Sequence, residues 1–373
     1  MPTYISGART TFDSSNDIIL DMQKYLDYIP DDNMDVAFLK RIGINSEPAK
    51  STKIEWTQTA LRGRGETVTL ADGSGTSLTV ADTGQYQIGE LIRIENEVVR
   101  VTALASATVL TITRAYAGTT GAAHSAKLAY SLGKAAAENS TPGAAVSDTV
   151  DKLFNYAQTF DVPVEMSMDQ IMMETVDGNT ISGQLERRFI EVNRQLARSV
   201  LYGIKHRDAT NKIHTMGGLI SFLSSNVTNV GGALGLSAID ALILDMVQDG
   251  ADPKTIHLNP YQKQKLDALD NNKQLLGKKE HTGGGLMTNT WQSGILNHPL
   301  DIVVDRSILT DQLIITDDDY IEIKPFSNNG RSGAWATLDA TAPGQDGEKK
   351  VIRGKYTMKV HNEKAHGYLY GLT

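Results

Sequence analysis

The chain contains no cysteine. Disulfide bonds and thiolate chemistry are therefore excluded, and a zinc site would need histidine and carboxylate ligands. Long apolar runs are missing too, since no stretch approaches the roughly eighteen consecutive apolar residues of a membrane span. The opening segment, MPTYISGARTTFDSSND, lacks the basic and then apolar order of a secretory signal. These absences favour a protein of a reducing compartment without membrane contact.

Positive charge is in deficit as well. Lysine and arginine total 36 against 44 aspartates and glutamates, which gives a formal net charge of -8. A surface of this sign does not attract nucleic acid as a whole, so any contact with phosphate has to be local. Hydrophobic residues make up 40% of the 373 residues and charged residues 21%, as in ordinary globular proteins. The length allows two or three packed units.

The motifs of common catalytic templates are also missing. There is no P-loop and no glycine-rich dinucleotide fingerprint, because RGRGET has only two glycines and opens a strand. The HTGGG motif at residues 281–285 resembles the oxyanion loop of some lipases, but no G-x-S-x-G nucleophile motif accompanies it. We interpret this segment as a loop, and we expect neither catalysis nor a cofactor.

Three further sets of polar residues could carry chemistry, and each has a simpler interpretation. Asp317–Asp319 lack the spacing of a calcium-binding loop, so a solvated turn is favoured over a cation site. His206 and His214 lie eight residues apart across a predicted turn, which favours a coincidental pair. His361 falls on the polar face of a predicted strand and His366 in the turn beyond it, where nothing in the sequence supplies a positioned partner.

Residues 1–50 have the character of an arm. Ser15–Tyr28 predicts a short helix, and Val36–Ile42 forms a second apolar patch. Such a segment has little core of its own, so we expect it to lie against another surface.

Residues 66–132 predict a small all-β unit inserted between sequences of different character. Short β-rich runs alternate with Gly, Asp, Asn and Ser, which is typical of a small barrel or sandwich. The predicted strands are Thr67–Leu70, Ser77–Val80, Leu91–Glu95, Glu97–Val101 and Val109–Arg114.

The most strongly patterned helix is predicted at Ser182–Lys205. Apolar residues recur at spacings of three and four along it, and arginines occupy its other faces. A cationic face that binds phosphates or acidic neighbours and a merely solvated helix back are equally compatible with this pattern. The apolar residues are Leu185, Phe189, Val192, Leu196 and Val200, and the arginines include Arg187, Arg188, Arg194 and Arg198.

Helices and strands alternate over residues 215–310. GLSAIDALILDMVQDGA predicts a helix capped by Ser237, KTIHLN predicts a strand, and Pro260 opens a second helix capped by Asn259. Three strands follow at Ile302–Asp305, Gln312–Thr316 and Tyr320–Pro325. Lys355–His361 then alternates apolar and polar residues as in a half-buried strand, which we expect to belong to a terminal hairpin.

Three stretches in this order resemble the major capsid proteins of tailed phages, which have the HK97-type shell fold. NYAQTFDVPVEMS (155–167) is similar to the segment that returns from the extended loop of that fold. RRFIEVNRQLARSVLYG (187–203), with TMGGLISFL after it, is similar to the spine helix and the start of the axial lobe. KKVIRGKYTMKVHNEKAHGYLYGL (349–372) is similar to the family's ending and is the most specific of the three. The inserted β unit is not part of the minimal fold.

The resemblance implies an α+β chain of the HK97-type capsid fold with an inserted barrel-like domain. It also implies five parts with the following bounds: an N-terminal arm at 1–50; an extended β-hairpin loop at 51–65 and 133–165; the inserted barrel or sandwich at 66–132; a peripheral domain with the spine helix at 166–214 and 311–373; and an axial α/β domain at 215–310.

By the same resemblance, many copies form hexamers and pentamers of an icosahedral shell around double-stranded DNA. The implied partners are the chain itself, a portal, scaffolding or decoration proteins, and packaged DNA bound non-specifically. The implied location is the virion, after assembly in the cytoplasm of a bacterial host. An encapsulin-like compartment and a tail or receptor-binding structural protein stay open as alternatives. The candidate contacts to neighbouring subunits or DNA phosphates are Arg9, Arg187, Arg188, Arg194 and Arg198.

Overall fold

The computed structural model describes residues 34–45, 47–58, 65–134, 138, 151–173, 181–269, 274–275, 290–328 and 331–373. The predicted helix at Ser15–Tyr28, the loop at 281–285 and Arg9 lie outside the described residues. Within them, no helix is both long and apolar enough to cross a membrane. The helices are α1 (Ala37–Ile42), α2 (Met168–Met172), α3 (Ile181–Tyr202), α4 (Leu236–Gln248) and α5 (Pro260–Leu269).

The strands fall into three stretches of the chain. The first stretch holds β1 (Lys53–Gln58), β2 (Glu66–Leu70), β3 (Ser77–Thr79), β4 (Glu90–Ile94), β5 (Glu97–Leu104), β6 (Val109–Thr113) and β7 (His124–Lys134). The second holds β8 (Asp151–Tyr156), β9 (Gln158–Ser167), β10 (His206–Asp208), β11 (Ile213–Thr215), β12 (Val227–Gly232), β13 (Thr255–Leu258) and β14 (Gln274–Leu275). The third holds β15 (Thr290–Trp291), β16 (Leu300–Val304), β17 (Leu313–Thr316), β18 (Ile321–Pro325), β19 (Ser327–Asn328), β20 (Arg331–Ser332), β21 (Ala336–Asp339), β22 (Gly347–Val360) and β23 (Gly367–Leu372).

A seven-stranded mixed sheet has the order β12-β23-β17-β13-β16-β15-β14. Its middle strands β13 and β17 are buried at every position. On β17, Leu313 and Ile315 enter the hydrophobic core that holds α4 and α5, whereas Ile314 enters a second core that holds α3. A strand covered on both faces needs a continuous apolar run rather than alternation, which explains the sequence LIIT.

The second sheet is built around the long strand β22, which pairs with β18, β21 and β9. The spine helix α3 packs on β9 and β22 through Val192, Leu196 and Val200, all fully buried. The predicted apolar stripe is therefore confirmed over its C-terminal half. Phe189 is exposed but contacts the ring of Trp335, with centroids 6.2 Å apart.

The predicted terminal hairpin is wrong. β22 lies in the second sheet, whereas β23 lies in the seven-stranded sheet between β12 and β17. The predicted boundary between residues 310 and 311 therefore falls inside a hydrogen-bonded sheet. The expectation of a half-buried strand also fails at Thr357, which is buried and donates a hydrogen bond to the Tyr156 carbonyl at 3.1 Å. Alternation cannot reveal that other elements cover the polar face.

Two predicted helix caps have different outcomes. The Asn259 side chain accepts a hydrogen bond from the Tyr261 amide at 3.0 Å, so the predicted cap of α5 is confirmed. The predicted cap of α4 is wrong, because α4 begins at Leu236 and Ser237 lies within its first turn, after an N-cap at Gly235. The prediction chose Ser237 because serine is a preferred N-cap residue, whereas Gly235 two residues earlier has no side chain that could accept a capping hydrogen bond.

The inserted segment forms a six-stranded antiparallel sheet with the order β2-β7-β4-β5-β6-β3. All five predicted strands are present, and the sheet continues to Lys134, two residues beyond the predicted end. Its core uses residues of this segment alone, from Val68 to Ala129. The end strands β2 and β3 contact each other without a ladder, and Glu66 accepts a hydrogen bond from the Ala81 amide across that seam. Outside the segment, β1 and β8 form a two-stranded antiparallel ribbon.

Candidate functional site

The spine helix places its arginines on two sides. Arg187, Arg194 and Arg198 recur at intervals of seven and four residues and therefore share one face, and Arg188 lies about 100° away. The Arg194 Nε atom lies 2.8 Å from Asp35 Oδ2, and both side chains are mostly buried. Arg194 is thus engaged within the chain.

The exposed Arg188 pairs with Glu191 one turn along, at 2.6 Å. Exposed pairs of this kind contribute at most about 1 kcal/mol, so Arg188 can exchange Glu191 for another acceptor at little cost. Arg198 is exposed and Arg187 is half-buried. The four arginines that the structure describes thus lie on two sides of the helix, and their contacts with neighbouring subunits or phosphates stay a prediction.

Residues 34–45 are held firmly against the body of the chain. Phe38 is fully buried, and its ring meets His257 edge-on at a centroid distance of 4.8 Å. The Phe38 amide donates a hydrogen bond to Asp305 Oδ2 at 2.7 Å, and the Arg306 amide donates to the Met34 carbonyl at 2.9 Å. The apolar patch predicted at Val36–Ile42 is thus covered within the chain by its own body.

Arg41 and Asp318 form the polar centre of this attachment. Arg41 Nε donates to Asp318 Oδ2 at 2.7 Å, and Arg41 Nη2 lies 2.9 Å from Asp301 Oδ2. Asp318 also accepts hydrogen bonds from the hydroxyls of Thr255, at 2.6 Å, and Thr316, at 2.8 Å. Apart from the hydrogen bond from Thr316, which is two residues away, these contacts join segments that are distant in the sequence.

The environment keeps Asp318 ionised. Burial by itself raises the pKa of this carboxyl, but hydrogen bonds from His257, Thr255 and Arg41 outweigh burial and hold the pKa well below its usual range. The Asp318 carboxylate in turn raises the pKa of Arg41. A carboxylate surrounded by donors is a poor general base at neutral pH, so the cluster serves to attach the N-terminal segment.

The predicted solvated turn at Asp317–Asp319 is wrong for two of its three members. Asp317 is buried and lies 3.1 Å from Lys254 Nζ, and Asp318 is mostly buried in the cluster just described. Only Asp319 is exposed within this run. The three aspartates look alike in sequence, and their environments differ because separate strands cover them.

The two histidines of the closing segment differ in their surroundings, because His366 is fully buried and His361 is half-buried beside Glu322. His366 is fully buried, and neither ring nitrogen makes a hydrogen bond of standard geometry with the described residues. Burial lowers the pKa of His366 to about 4. Burial also lowers the pKa of the half-buried His361, with a smaller contribution from Lys359. His366 is therefore neutral at pH 7, as a packing residue would be, and the lowered pKa of His361 favours its neutral form.

The pair His206 and His214 does not converge either. Across the β10–β11 hairpin, His206 faces Thr215 and Arg207 faces His214, so the two imidazoles project to opposite faces. In the part of the chain that the structure describes, no group of three or more metal-ligating side chains could hold a metal ion.

The inserted sheet contains a polar cluster that the sequence did not reveal. The nearly inaccessible carboxylate of Glu97 accepts hydrogen bonds from Arg114, at 2.6 Å to each oxygen, from His124 at 2.9 Å, and from the amides of Ala115 and Ala122. Burial by itself raises the pKa of Glu97, but the hydrogen bonds from Arg114 and His124 outweigh burial and lower it to about 2. This cluster fixes both ends of the loop at 115–122.

A long helix on a β sheet, a seven-stranded sheet, a two-stranded ribbon and a docked N-terminal segment make up a mixed α/β fold of the HK97-like class, which solved phage capsids share. The contacts of Arg41, Phe38 and Glu97 described above attach segments of the chain to one another. The chain belongs to the SU10 major capsid protein family, whose model matches residues 5–373. It is therefore a phage shell-forming structural protein, and the family implies a structural role, self-assembly into shells and a place in the virion.

Solved capsids share the fold at low sequence identity. The capsid protein of an empty GTA particle is 10% identical, with 98% of each chain covered and a TM-score of 0.51. The capsid protein of Myoviridae phage XM1 is 9% identical, with 96% of this chain and 100% of that chain covered and a TM-score of 0.50. No curated protein matches the sequence.

Proposed function

We propose that this chain is the major head protein of a tailed phage, and that it assembles as hexamers and pentamers into an icosahedral shell around double-stranded DNA. The observation that carries the proposal is the family match over residues 5–373. The five parts of the chain are an arm, an extended loop, an inserted unit, a peripheral domain and an axial domain, and β17 and β23 share the seven-stranded sheet of the axial domain. Portal, scaffolding or decoration proteins are the further partners, and assembly takes place in the cytoplasm of the bacterial host.

The ribbon β1–β8 supports a role in assembly. An isolated two-stranded ribbon is at best marginally stable in water. The ribbon is anchored to the body, since the ring of Trp56 within β1 is buried and its centroid lies 5.8 Å from that of Phe222. A neighbouring subunit would supply the remaining support, as in obligate assemblies with interfaces above about 2,000 Å².

Electron microscopy of the expressed chain tests this proposal. Closed icosahedral shells with pentamers at the vertices are the expected result. Tubes or trimers would favour a tail protein, and shells filled with protein cargo without DNA would favour a cellular compartment. Either of those outcomes, or a chain that stays monomeric under all conditions, would overturn the proposal.

The contact with DNA is proposed to be local and electrostatic. The exposed Arg198 and Arg188 supply positive charge on a chain whose net charge is -8. Binding of DNA to purified shells should weaken as salt rises, and R188Q/R198Q should reduce that salt dependence, with R207Q as the exposed control. Equal DNA binding at low and high salt would contradict this part of the proposal.

A further inference from the structure

One surface of the inserted sheet is apolar where solvent would favour polar residues. Leu128, Tyr130 and Leu132 on β7 are 39%, 47% and 56% exposed. Tyr130 pairs with Arg93 on β4, and Arg93 pairs with Val98 on β5, so the row continues across three strands. We call Leu128, Tyr130, Leu132, Arg93 and Val98 the insert face. Antiparallel sheets that pack on one side normally present polar residues on the other.

The insert face is not needed for the fold of its own unit. The core of the unit lies on the opposite side of the sheet, where Ile92, Ile94 and Val99 are almost completely buried. A tyrosine and two leucines beside an arginine have the composition of the energetically dominant part of protein interfaces. The face therefore has the properties of a contact surface.

A second exposed apolar surface lies on α2. Asp169 and Met172 are three residues apart and share one side of this helix, and Met173 follows directly as its C-cap residue. Met172 is 76% exposed, more than any other large hydrophobic side chain that the structure describes, and Met173 is 68% exposed. We call these three residues the α2 surface.

The two surfaces are complementary in charge as well as in apolar character. The insert face carries Arg93, with Arg100 beside it on β5, and the α2 surface carries Asp169. The flexible methionines can adapt to the flat ring of Tyr130. Every copy of the chain carries both surfaces. The insert face of one copy can therefore meet the α2 surface of a second copy.

We propose that the insert face of one copy packs against the α2 surface of the next copy in the shell. This inference rests on the proposed function, because it needs copies that lie side by side. A contact between two different patches of identical subunits is heterologous, and heterologous contacts close into rings when the rotation between copies fits. The inserted unit is then part of the structural interface between subunits within a capsomer.

The absence of native cysteine makes a cross-linking test direct. The variant Y130C/M172C, assembled and treated with a short bismaleimide, should give a ladder of covalent oligomers in a denaturing gel. Y130C alone and M172C alone should give no ladder. The pair T113C/M172C is the control, because Thr113 is exposed on β6, which lies three strands from β7 in either direction around the inserted sheet.

Closed shells of Y130C/M172C that yield no ladder would overturn the inference, as would covalent dimers of Y130C alone, which would mean that two insert faces meet. A second variant, Y130E, should reduce the yield of shells by at least about tenfold, as expected for loss of an interface anchor. Far-UV circular dichroism of the unassembled variant checks that it folds, and normal shell yield from Y130E would contradict the inference. If the unmodified chain forms no shells, the proposed function itself fails, and the two failures are thus distinguishable.

Discussion

The side chain of Asn155 and the backbone of Gly217 bind each other in both directions. Asn155 Nδ2 donates to the Gly217 carbonyl at 3.0 Å, and Asn155 Oδ1 accepts from the Gly217 amide at 2.8 Å. The same Nδ2 donates to the Met358 carbonyl at 2.8 Å. One buried amide therefore joins β8, the segment after β11 and β22.

Asn155→Asp should destabilise the chain strongly. The substitution places a carboxylate oxygen against the carbonyls of Gly217 and Met358, where the native amide donates. The free energy of unfolding should fall by at least about 2 kcal/mol, because buried acceptors lose their donor. Urea unfolding of the unassembled chain measures the change, and N297D at an exposed position is the control. Equal stability of the two variants would contradict the role of Asn155.

Arg41→Met should loosen the attachment of residues 34–45. Asp318 would keep its threonine donors but lose its charged partner, and the free energy of unfolding should fall by about 1.5 to 3 kcal/mol. R188M removes an exposed ion pair with Glu191 and should cost less than about 1 kcal/mol. Limited proteolysis should show faster cleavage near residue 34 in R41M alone. Similar cleavage of both variants would argue against the cluster as an attachment.

His366 should make the chain less stable in mild acid. Burial lowers its pKa from 6.5 to about 4, and Asp318 and His257 act on it more weakly. Between these two pH values the unfolded chain binds a proton that the folded chain does not. Stability from this group is complete above pH 6.5 and falls as the pH drops toward 4, with a slope approaching about 1.4 kcal/mol per pH unit.

The variant His366→Met should flatten that slope between pH 6.5 and about 4. Urea unfolding at several pH values measures the slope, and H206Q, at an exposed histidine, is the control. A slope that is the same in H366M and in the unmodified chain would show that His366 does not titrate on unfolding.

Gly218→Ala should disrupt the end of the spine helix. A Cβ atom at Gly218 would lie 2.5 Å from the Gly203 nitrogen and 2.7 Å from the Leu201 carbonyl oxygen. Backbone atoms cannot rotate away, so the free energy of unfolding should fall by about 1 to 3 kcal/mol. G294A is the control, because a Cβ there meets nothing within 4 Å. A neutral effect of G218A on thermal unfolding would show that the helix end can shift.

Local patterns in the sequence predicted much of the fold. The 3.6-residue periodicity identified α3, and β-rich runs between turn residues identified β2 to β6. These signals are readable because each depends on residues within one element. They failed where a second layer covers a polar residue, as at Thr357, and where hydrogen bonding assigns a strand to a different sheet, as for β23.

The sequence by itself determined the periodic elements, the independent core of the inserted unit and the resemblance to capsid proteins, since all of these follow from residue types in order. Only the tertiary structure decided which polar groups form ion pairs and hydrogen bonds with one another. Arg194 meets Asp35, and Arg41 meets Asp318 across 277 residues of sequence. The physical reason is that burial and pairing depend on neighbours in space, and a carboxylate in a sequence carries no sign of which strand will cover it.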